Sequence, residues 1–426
     1  MFTQFKKALY FPIASYFRFF AAIRLNRWNP KIIVVTGSNG KTTLLHMLEA
    51  QIGSRAKYSH HANSSFGIPF DILDLHRKSL LKSEWISLIL KTPFSAFKKV
   101  PKERLYVVEA DCDRPGEGRF LSELLRPEIV LWISISKTHS MNFEKLVMNK
   151  KFSNVEEAIA YEFGYFVEYA KDLVILNGDS ELMKNQVNRA KAKLISIKKE
   201  NNLEKYDVGK DGTHFQIGGK AYRFKFLLPE EVFYSIEMVR KACDILSISF
   251  DHTFSKFRMP PGRGSIFEGI KDITIVDSSY NANLSVESML FMFGRLSAIK
   301  KWVVISDMLE LSEEDIVIEH KKVANVLNKL EFDRIILIGP LSAKYILSNL
   351  INNKIAASFQ DTKDALSFLT NSLAGGETVL FKGAQSFFLE GLIVNFLKNK
   401  EDIAKLPRRG KAWDEKRKRI GLIAKD

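Results

Sequence analysis

Apolar and polar positions along this chain keep two periods in turn. Runs with almost no polar interruption, Ile32 to Val35, Leu105 to Val108, Ile129 to Ser136 and Leu173 to Leu176, read as strands buried on both faces, because a strand covered on one side only would alternate. Between them apolar residues recur at helical spacing. A second series follows at Ile273 to Val276, Trp302 to Ile305, Arg334 to Ile338 and Thr378 to Phe381. The break between the series is MPPGRG, Met259 to Gly264, whose prolines and glycines mark a linker. The pattern predicts an α/β chain of two domains. A central domain over residues 30–257 is built on a parallel sheet, and a smaller Rossmann-like α/β domain occupies residues 258–402.

The first 29 residues stand outside this alternation. Ile13, Tyr16, Phe17, Phe20 and Ile23 fall at helical spacing beside Arg18, Arg24 and Arg27, so the segment predicts a basic, aromatic amphipathic helix. Its longest uncharged run, between Lys7 and Arg18, is too short to span a bilayer, and no small-residue cleavage site of a secretory signal follows. Such a helix either makes a peripheral contact with the inner face of a membrane or packs on the first domain or on a partner. Residues 403–426 form a basic tail, read as a solvated charge run or one that meets an anionic surface.

Charge and cysteine narrow the class. With 64 Lys and Arg against 49 Asp and Glu, the net charge of +15 suits nucleotides, sugar phosphates or lipid headgroups. No RNA- or DNA-binding signature accompanies it, so a nucleic-acid partner is not expected. Cys112 and Cys243 are the only cysteines; they give no disulfide framework and fit a reducing cytoplasm.

The stretch that carries chemistry is Lys31 to Thr43, KIIVVTGSNGKTT, an apolar strand running into a small-residue turn and then a helix. A turn made of Gly37, Ser38, Asn39 and Gly40 can point several backbone N–H groups into one concavity, and the helix starting near Lys41, Thr42 and Thr43 adds its positive end. Such a loop holds phosphate, with Lys41 reaching the outer phosphates and Thr42 placed to ligand Mg²⁺. The general P-loop has a glycine six residues before the lysine, where this chain has Val35.

Taken in order, TGSNGKTT, VVEADCDRPGE (Val107 to Glu117), RPEIVLWISISKTHSMNF (Arg126 to Phe143), PPGRG, VDSSYNAN (Val276 to Asn283), SDMLEL (Ser306 to Leu311) and VLFKGAQSFFLE (Val379 to Glu390) resemble the Mur ligases over about residues 30 to 400. The SYNAN and DMLEL pieces are most similar to the branch that joins D-alanyl-D-alanine to UDP-N-acetylmuramoyl-tripeptide. The resemblance implies an ATP- and Mg²⁺-dependent amide ligase. A substrate carboxylate attacks the γ-phosphate, and an incoming amine, a dipeptide or amino acid, displaces phosphate from the acyl phosphate. It implies that Thr42 and Glu109 hold one Mg²⁺ and that His139 faces a second. Arg263 and Asp277 then contact the nucleotide from a domain that closes over the first, and Lys382 faces the incoming carboxylate. Asn63 and Ser64 lie near the γ-phosphate or the acceptor, unless SSFGIP is simply a turn.

Several departures qualify the resemblance. Phe163 falls where the family carries a carbamylated lysine, with Glu162 beside it as a conceivable substitute. The family's HN-x-x-N stretch near the adenine is missing, since Leu228 to Ile236 reads LPEEVFYSI, and Ser278 follows Asp277 where the branch often has a second aspartate. The uridine-nucleotide-binding domain of the family does not fit in the 30 residues before the loop. The expectation is therefore a ligase acting on a muramoyl peptide, with a paralogue forming another amide bond, or a nucleotide-gated binding subunit without turnover, as alternatives.

Overall fold

The computed structural model describes residues 9–60, 62–77, 84–200, 202–281 and 285–422. The chain divides into two compact units, Met1–Lys199 with Tyr234–Phe257, and Glu200–Phe233 with Arg258–Asp426. It therefore passes between them three times, after Lys199, Phe233 and Phe257.

The first unit runs α1 (Tyr10–Trp28), β1 (Lys31–Thr36), α2 (Lys41–Ile52), β2 (Ala56–Tyr58), α3 (Gly67–Leu73), α4 (Glu84–Phe97), β3 (Leu105–Ala110), α5 (Glu117–Leu125), β4 (Ile129–Trp132), α6 (Val155–Tyr169), β5 (Leu173–Asn177) and β6 (Lys193–Ile197), and takes back most of α7 (Val232–Ile245). The sheet order is β2-β3-β1-β4-β5-β6, every pair parallel. The inner strands β3, β1, β4 and β5 are buried along most of their length because helices cover both faces. β1 lies between β3 and β4, so the carboxyl ends of three strands meet around the loop that leaves β1.

Packing, not a free surface, is what α1 does with its best-fitting side. Ala14, Phe17, Ala21, Leu25 and Trp28 are buried in the core of this unit, against α3 and α4. The buried Arg24 donates to the carbonyls of Leu73 (2.8 Å), Ser95 (3.1 Å) and Lys99 (3.0 Å), carbonyls at or beyond helix ends, where a cation is favoured. Of the expected membrane-facing set Phe17 is fully buried and only Ile13 is exposed, so Tyr10–Trp28 takes the packed alternative. Residues 1–8 of the expected helix lie outside the described residues.

In the second unit β7 (Leu203–Gly209), β8 (Gly212–Ile217) and β9 (Lys220–Phe224) form an antiparallel meander. Then follow β10 (Ser265–Glu268), β11 (Thr274–Ser278), α8 (Val286–Arg295), β12 (Lys301–Ser306), α9 (Glu313–Lys329), β13 (Arg334–Ile338), β14 (Ala356–Phe359), α10 (Thr362–Ser372), β15 (Thr378–Lys382), α11 (Leu389–Phe396) and α12 (Lys411–Arg419). The sheet order is β10-β11-β15-β12-β13-β14, parallel except for the β10 edge. The basic tail is not a solvated charge run. Glu390, fully buried on α11, accepts from Arg408 Nε (2.9 Å) and Nη2 (2.6 Å) and from Arg417 Nη1 (3.0 Å). Two of the tail's cations are thus drawn inside by one carboxylate that needs them.

Candidate active site

The loop leaving β1 is pressed against the chain leaving β4. Gly37 has φ +129°, and a Cβ there would lie 2.7 Å from the Ser134 carbonyl oxygen, so no side chain fits. Ser38 N donates to Ser134 O (3.0 Å), Asn39 N to Ser134 Oγ (2.7 Å), Ser136 N to Ser38 Oγ (2.9 Å) and Asn39 Nδ2 to Ser136 Oγ (2.9 Å). The strand expected to reach Ser136 stops at Trp132, because these serines leave the ladder to brace the loop. Gly40, at φ +82°, turns the chain into α2. The first amides of that helix, on Lys41, Thr42 and Thr43, have no carbonyl one turn back, which is the donor set that an anion takes.

Lys41 is buried and lies back across its own loop. Its Nζ donates to Gly37 O (2.6 Å) and Ser38 O (3.1 Å) and is 2.7 Å from Asp111 Oδ2. Burial alone would push this amine down, but the Asp111 and Glu109 carboxylates outweigh it and hold the amine above its ordinary value. A cation is therefore already in place where phosphates would arrive.

Asp111, which the sequence reading did not single out, also belongs to a second arrangement. Asp111, Asp113 and His139 bring one donor atom each to within 4.8 Å of one another, and His139 Nε2 is 3.1 Å from Asp113 Oδ1. Burial, reinforced by Asp111 and only partly offset by His139, raises the Asp113 carboxyl to about 6. Crowded negative charge of this kind is relieved by a cation, and two carboxylates with one imidazole beside a phosphate loop fit Mg²⁺. His139 comes from a turn, at φ 57°. Glu109 stands on β3 with its amide donating to Ser59 Oγ (2.9 Å) and does not enter the group around His139. The alternation Glu109, Asp111, Asp113 was legible as one side of an extended chain.

Behind the acids, Glu117 is fully buried at the start of α5 and ties four segments together. It accepts from Ser65 N (2.8 Å), Ser65 Oγ (2.7 Å), Tyr10 OH (3.1 Å) and Asp113 N (3.0 Å). The neighbouring Asn63 carbonyl accepts from Asp111 N (2.8 Å), and Ser64 Oγ accepts from Gly67 N (3.2 Å). Asn63 thus stands beside the acids, while the Ser64 hydroxyl is engaged in the turn that starts α3.

Glu162 does not replace a carbamate. Its carboxylate accepts from Gly116 N (2.8 Å) and Gly118 N (3.1 Å), capping α5, and burial raises its pKa. Phe163 is buried in the core with its ring centroid 6.3 Å from that of Trp132. The position of the family's lysine is filled by hydrocarbon.

In the second unit the structure gathers Asp277, Arg263 and Lys382. Asp277 is next to the last residue of β11, and Lys382 ends the paired strand β15. Asp277 is fully buried, its Oδ1 accepts from Ser279 N (3.0 Å), and burial raises it to about 6. Lys382 donates to Ser285 Oγ (2.9 Å), and burial, helped by Arg263, lowers it to about 7. The Arg263 guanidinium lies 4.2 Å from the centroid of the Tyr280 ring. Arg408 donates to the carbonyls of Ser279 (2.7 Å) and Tyr280 (2.8 Å), fixing the chain that carries this group. Nothing in the local pattern of the tail announced that role.

Comparison with known proteins agrees with this geometry. The Mur ligase middle domain pattern matches residues 35–233. The UDP-N-acetylmuramoyl-tripeptide–D-alanyl-D-alanine ligase of Bacillus subtilis is 22% identical over 88% of this chain and 78% of its own length. The ligase of the same name from Borreliella burgdorferi is 24% identical over 88% and 76%. Among solved structures, MurF from Acinetobacter baumannii superposes with a TM-score of 0.72 at 19% identity, covering 89% of this chain and 79% of that one. MurF from Thermotoga maritima in complex with ADP gives 0.72 at 18% identity, covering 92% and 84%.

Proposed function

From a chain that belongs to the Mur ligase family, we propose an ATP-dependent amide ligase of peptidoglycan precursor synthesis that adds D-alanyl-D-alanine to a UDP-N-acetylmuramoyl-tripeptide. The observation that carries the reading is the braced loop Gly37–Gly40 with a charged Lys41 held at its mouth by Asp111, next to Asp113 and His139. The reaction needs no protein nucleophile. A carboxylate oxygen of the acceptor bonds to the γ-phosphorus as the bond to ADP breaks, and the amine then bonds to the acyl carbon as phosphate leaves with the carboxylate oxygen. What the protein supplies is charge neutralisation and alignment of two anions that repel.

In that scheme the amides of Lys41, Thr42 and Thr43 and the Lys41 ammonium hold the phosphates. Bound Mg²⁺ would neutralise phosphate charge, and Asp111, Asp113 and His139, with Thr42 and Glu109 adjoining, are the residues to hold it. In the second unit Asp277 suits the ribose hydroxyls, Arg263 a phosphate, and Lys382, about half protonated at pH 7, the carboxylate of the incoming dipeptide, which would draw a proton onto it. Cytoplasmic action fits the two substrates, a soluble nucleotide-linked muramoyl peptide and a free dipeptide.

The test is phosphate release from ATP with a panel of muramoyl peptides, each with and without D-alanyl-D-alanine. Release that requires both the tripeptide acceptor and the dipeptide supports the reading. Release with another amine identifies a paralogue forming a different amide bond, and ATP binding with no release under any pairing identifies a binding subunit.

A further inference from the structure

The helix α4 is inverted relative to the unit that carries it. Its buried positions are Leu88, Thr92, Ser95 and Ala96, mostly small or polar. Its large apolar side chains point outward: Ile86 is 65% exposed, Leu90 65%, Phe94 77% and Phe97 64%. Those four recur every three or four residues and so form one stripe. The neighbouring α1 adds Phe19, 61% exposed. Its ring packs on Phe20, which packs on Tyr16, and the Tyr16 hydroxyl donates to the Ile89 carbonyl (2.9 Å). A contiguous apolar face of this size has an occupant in the working protein.

Charge identifies that occupant. Arg27, Lys91, Lys98 and Lys99 are exposed around the stripe, no Asp or Glu occurs between Glu84 and Glu103, and the chain has none before Glu49. Apolar residues flanked along the chain by exposed cations match the boundary between anionic headgroups and acyl chains. No helix among the described residues is long and apolar enough to cross a membrane, so the face lies on a bilayer rather than entering it. We propose that the outward face of α4, with Phe19 of α1, is an interfacial surface for anionic phospholipid bilayers. The proposal relocates the contact once expected of the α1 face that Phe17 now buries. It stands independently of the ligase reading, because none of these residues touches the loop or the acids.

The test uses the full chain and sedimentation with vesicles of mixed phosphatidylglycerol and phosphatidylcholine. Binding at low salt is expected to weaken, but persist, as salt rises, since screening removes attraction and leaves apolar burial. The double variant Phe94→Ser, Phe97→Ser is expected to bind at least about tenfold more weakly, and Lys98→Glu with Lys99→Glu to lose the salt-sensitive part, each with far-ultraviolet circular dichroism unchanged. The proposal is overturned if the wild type ignores these vesicles at low salt, or if the serine variant binds them equally. It is also overturned if light scattering shows that the serine changes dissociate an oligomer while vesicle binding stays the same, which would assign the face to a second copy of the chain.

Discussion

Lys41 owes its charge to Asp111 and Glu109, since burial alone would favour the neutral amine. Replacing it therefore removes the cation at the loop and leaves Asp111 without its ion-pair partner. Lys41→Ala is expected to lower phosphate release by about 10²–10³-fold, the scale for loss of one preorganised electrostatic contact, with circular dichroism preserved. His139→Ala and Asp113→Ala are expected to lower turnover through the metal and to recover part of it at high Mg²⁺, measured as a rightward shift of the Mg²⁺ dependence. Asp277 carries a pH signature. A carboxyl raised from 3.8 to about 6 by burial is disfavoured as an anion in the folded chain. Its cost is complete above pH 6 and vanishes below the unfolded value near 4. Asp277→Asn is expected to raise resistance to urea at pH 8 by about 3 kcal/mol, at 1.36 kcal/mol per pH unit, and by less than about 1 kcal/mol at pH 4, while lowering ATP turnover. A gain that is the same at both pH values would refute the burial argument. At this scale the turn and helix start of Gly37 to Thr43 and the strand-end place of Lys382 could be read from the chain, because local pattern marks them. The pairing of Lys41 with Asp111 could not, since it exists only once β3 lies beside β1.

Among elements, α5 shows how tightly the acids are supported. Its first turn is capped by Glu162 from α6, and a Cβ on Gly118 would lie 2.0 Å from the Glu162 carbonyl oxygen. The two helices meet at backbone distance, so Gly118→Ala is expected to cost about 1–3 kcal/mol, read by denaturant unfolding, and to loosen the segment holding Asp113. The same helix pair explains why Phe163 cannot stand in for a carbamylated lysine. Wild-type turnover is expected to be indifferent to added bicarbonate, and Phe163→Lys to destabilise the fold by burying an ammonium, without creating bicarbonate dependence. Strong activation of the wild type by bicarbonate would contradict this. Strand and helix series were legible because buried parallel strands leave uninterrupted apolar runs. The β7–β9 meander was missed, although Gly218 and Gly219, both with positive φ, form the two-residue turn that such hairpins use. The buried face of α1 was misjudged because Tyr10–Trp28 is apolar nearly all round, so spacing alone does not say which side meets the core.

For the molecule as a whole, the charge of +15 is not spread over a uniform surface. Arg408 and Arg417 are spent on Glu390 in the interior, and removing that carboxylate leaves Arg408 with carbonyl partners only and Arg417 with Asp414 as its remaining carboxylate. Glu390→Ala is expected to destabilise the protein by about 3–5 kcal/mol, measured by chemical denaturation, and to weaken nucleotide binding as the 277–280 segment loses its tether. The three passages of the chain between units also govern how the molecule is born. A ribosome finishes the first sheet at Ile197, then emits the meander Leu203–Phe224, whose unit has as yet no large sheet, and only afterwards the helix that closes the first unit. Through that interval Tyr206 has only Phe215 of the meander to pack on, and Val208 lacks the second core for which it is destined. Cutting the gene after Phe257 would thus yield a module trailing an orphaned, aggregation-prone flap, whereas splicing residues 200–233 out of that piece as well would leave the first unit to live alone.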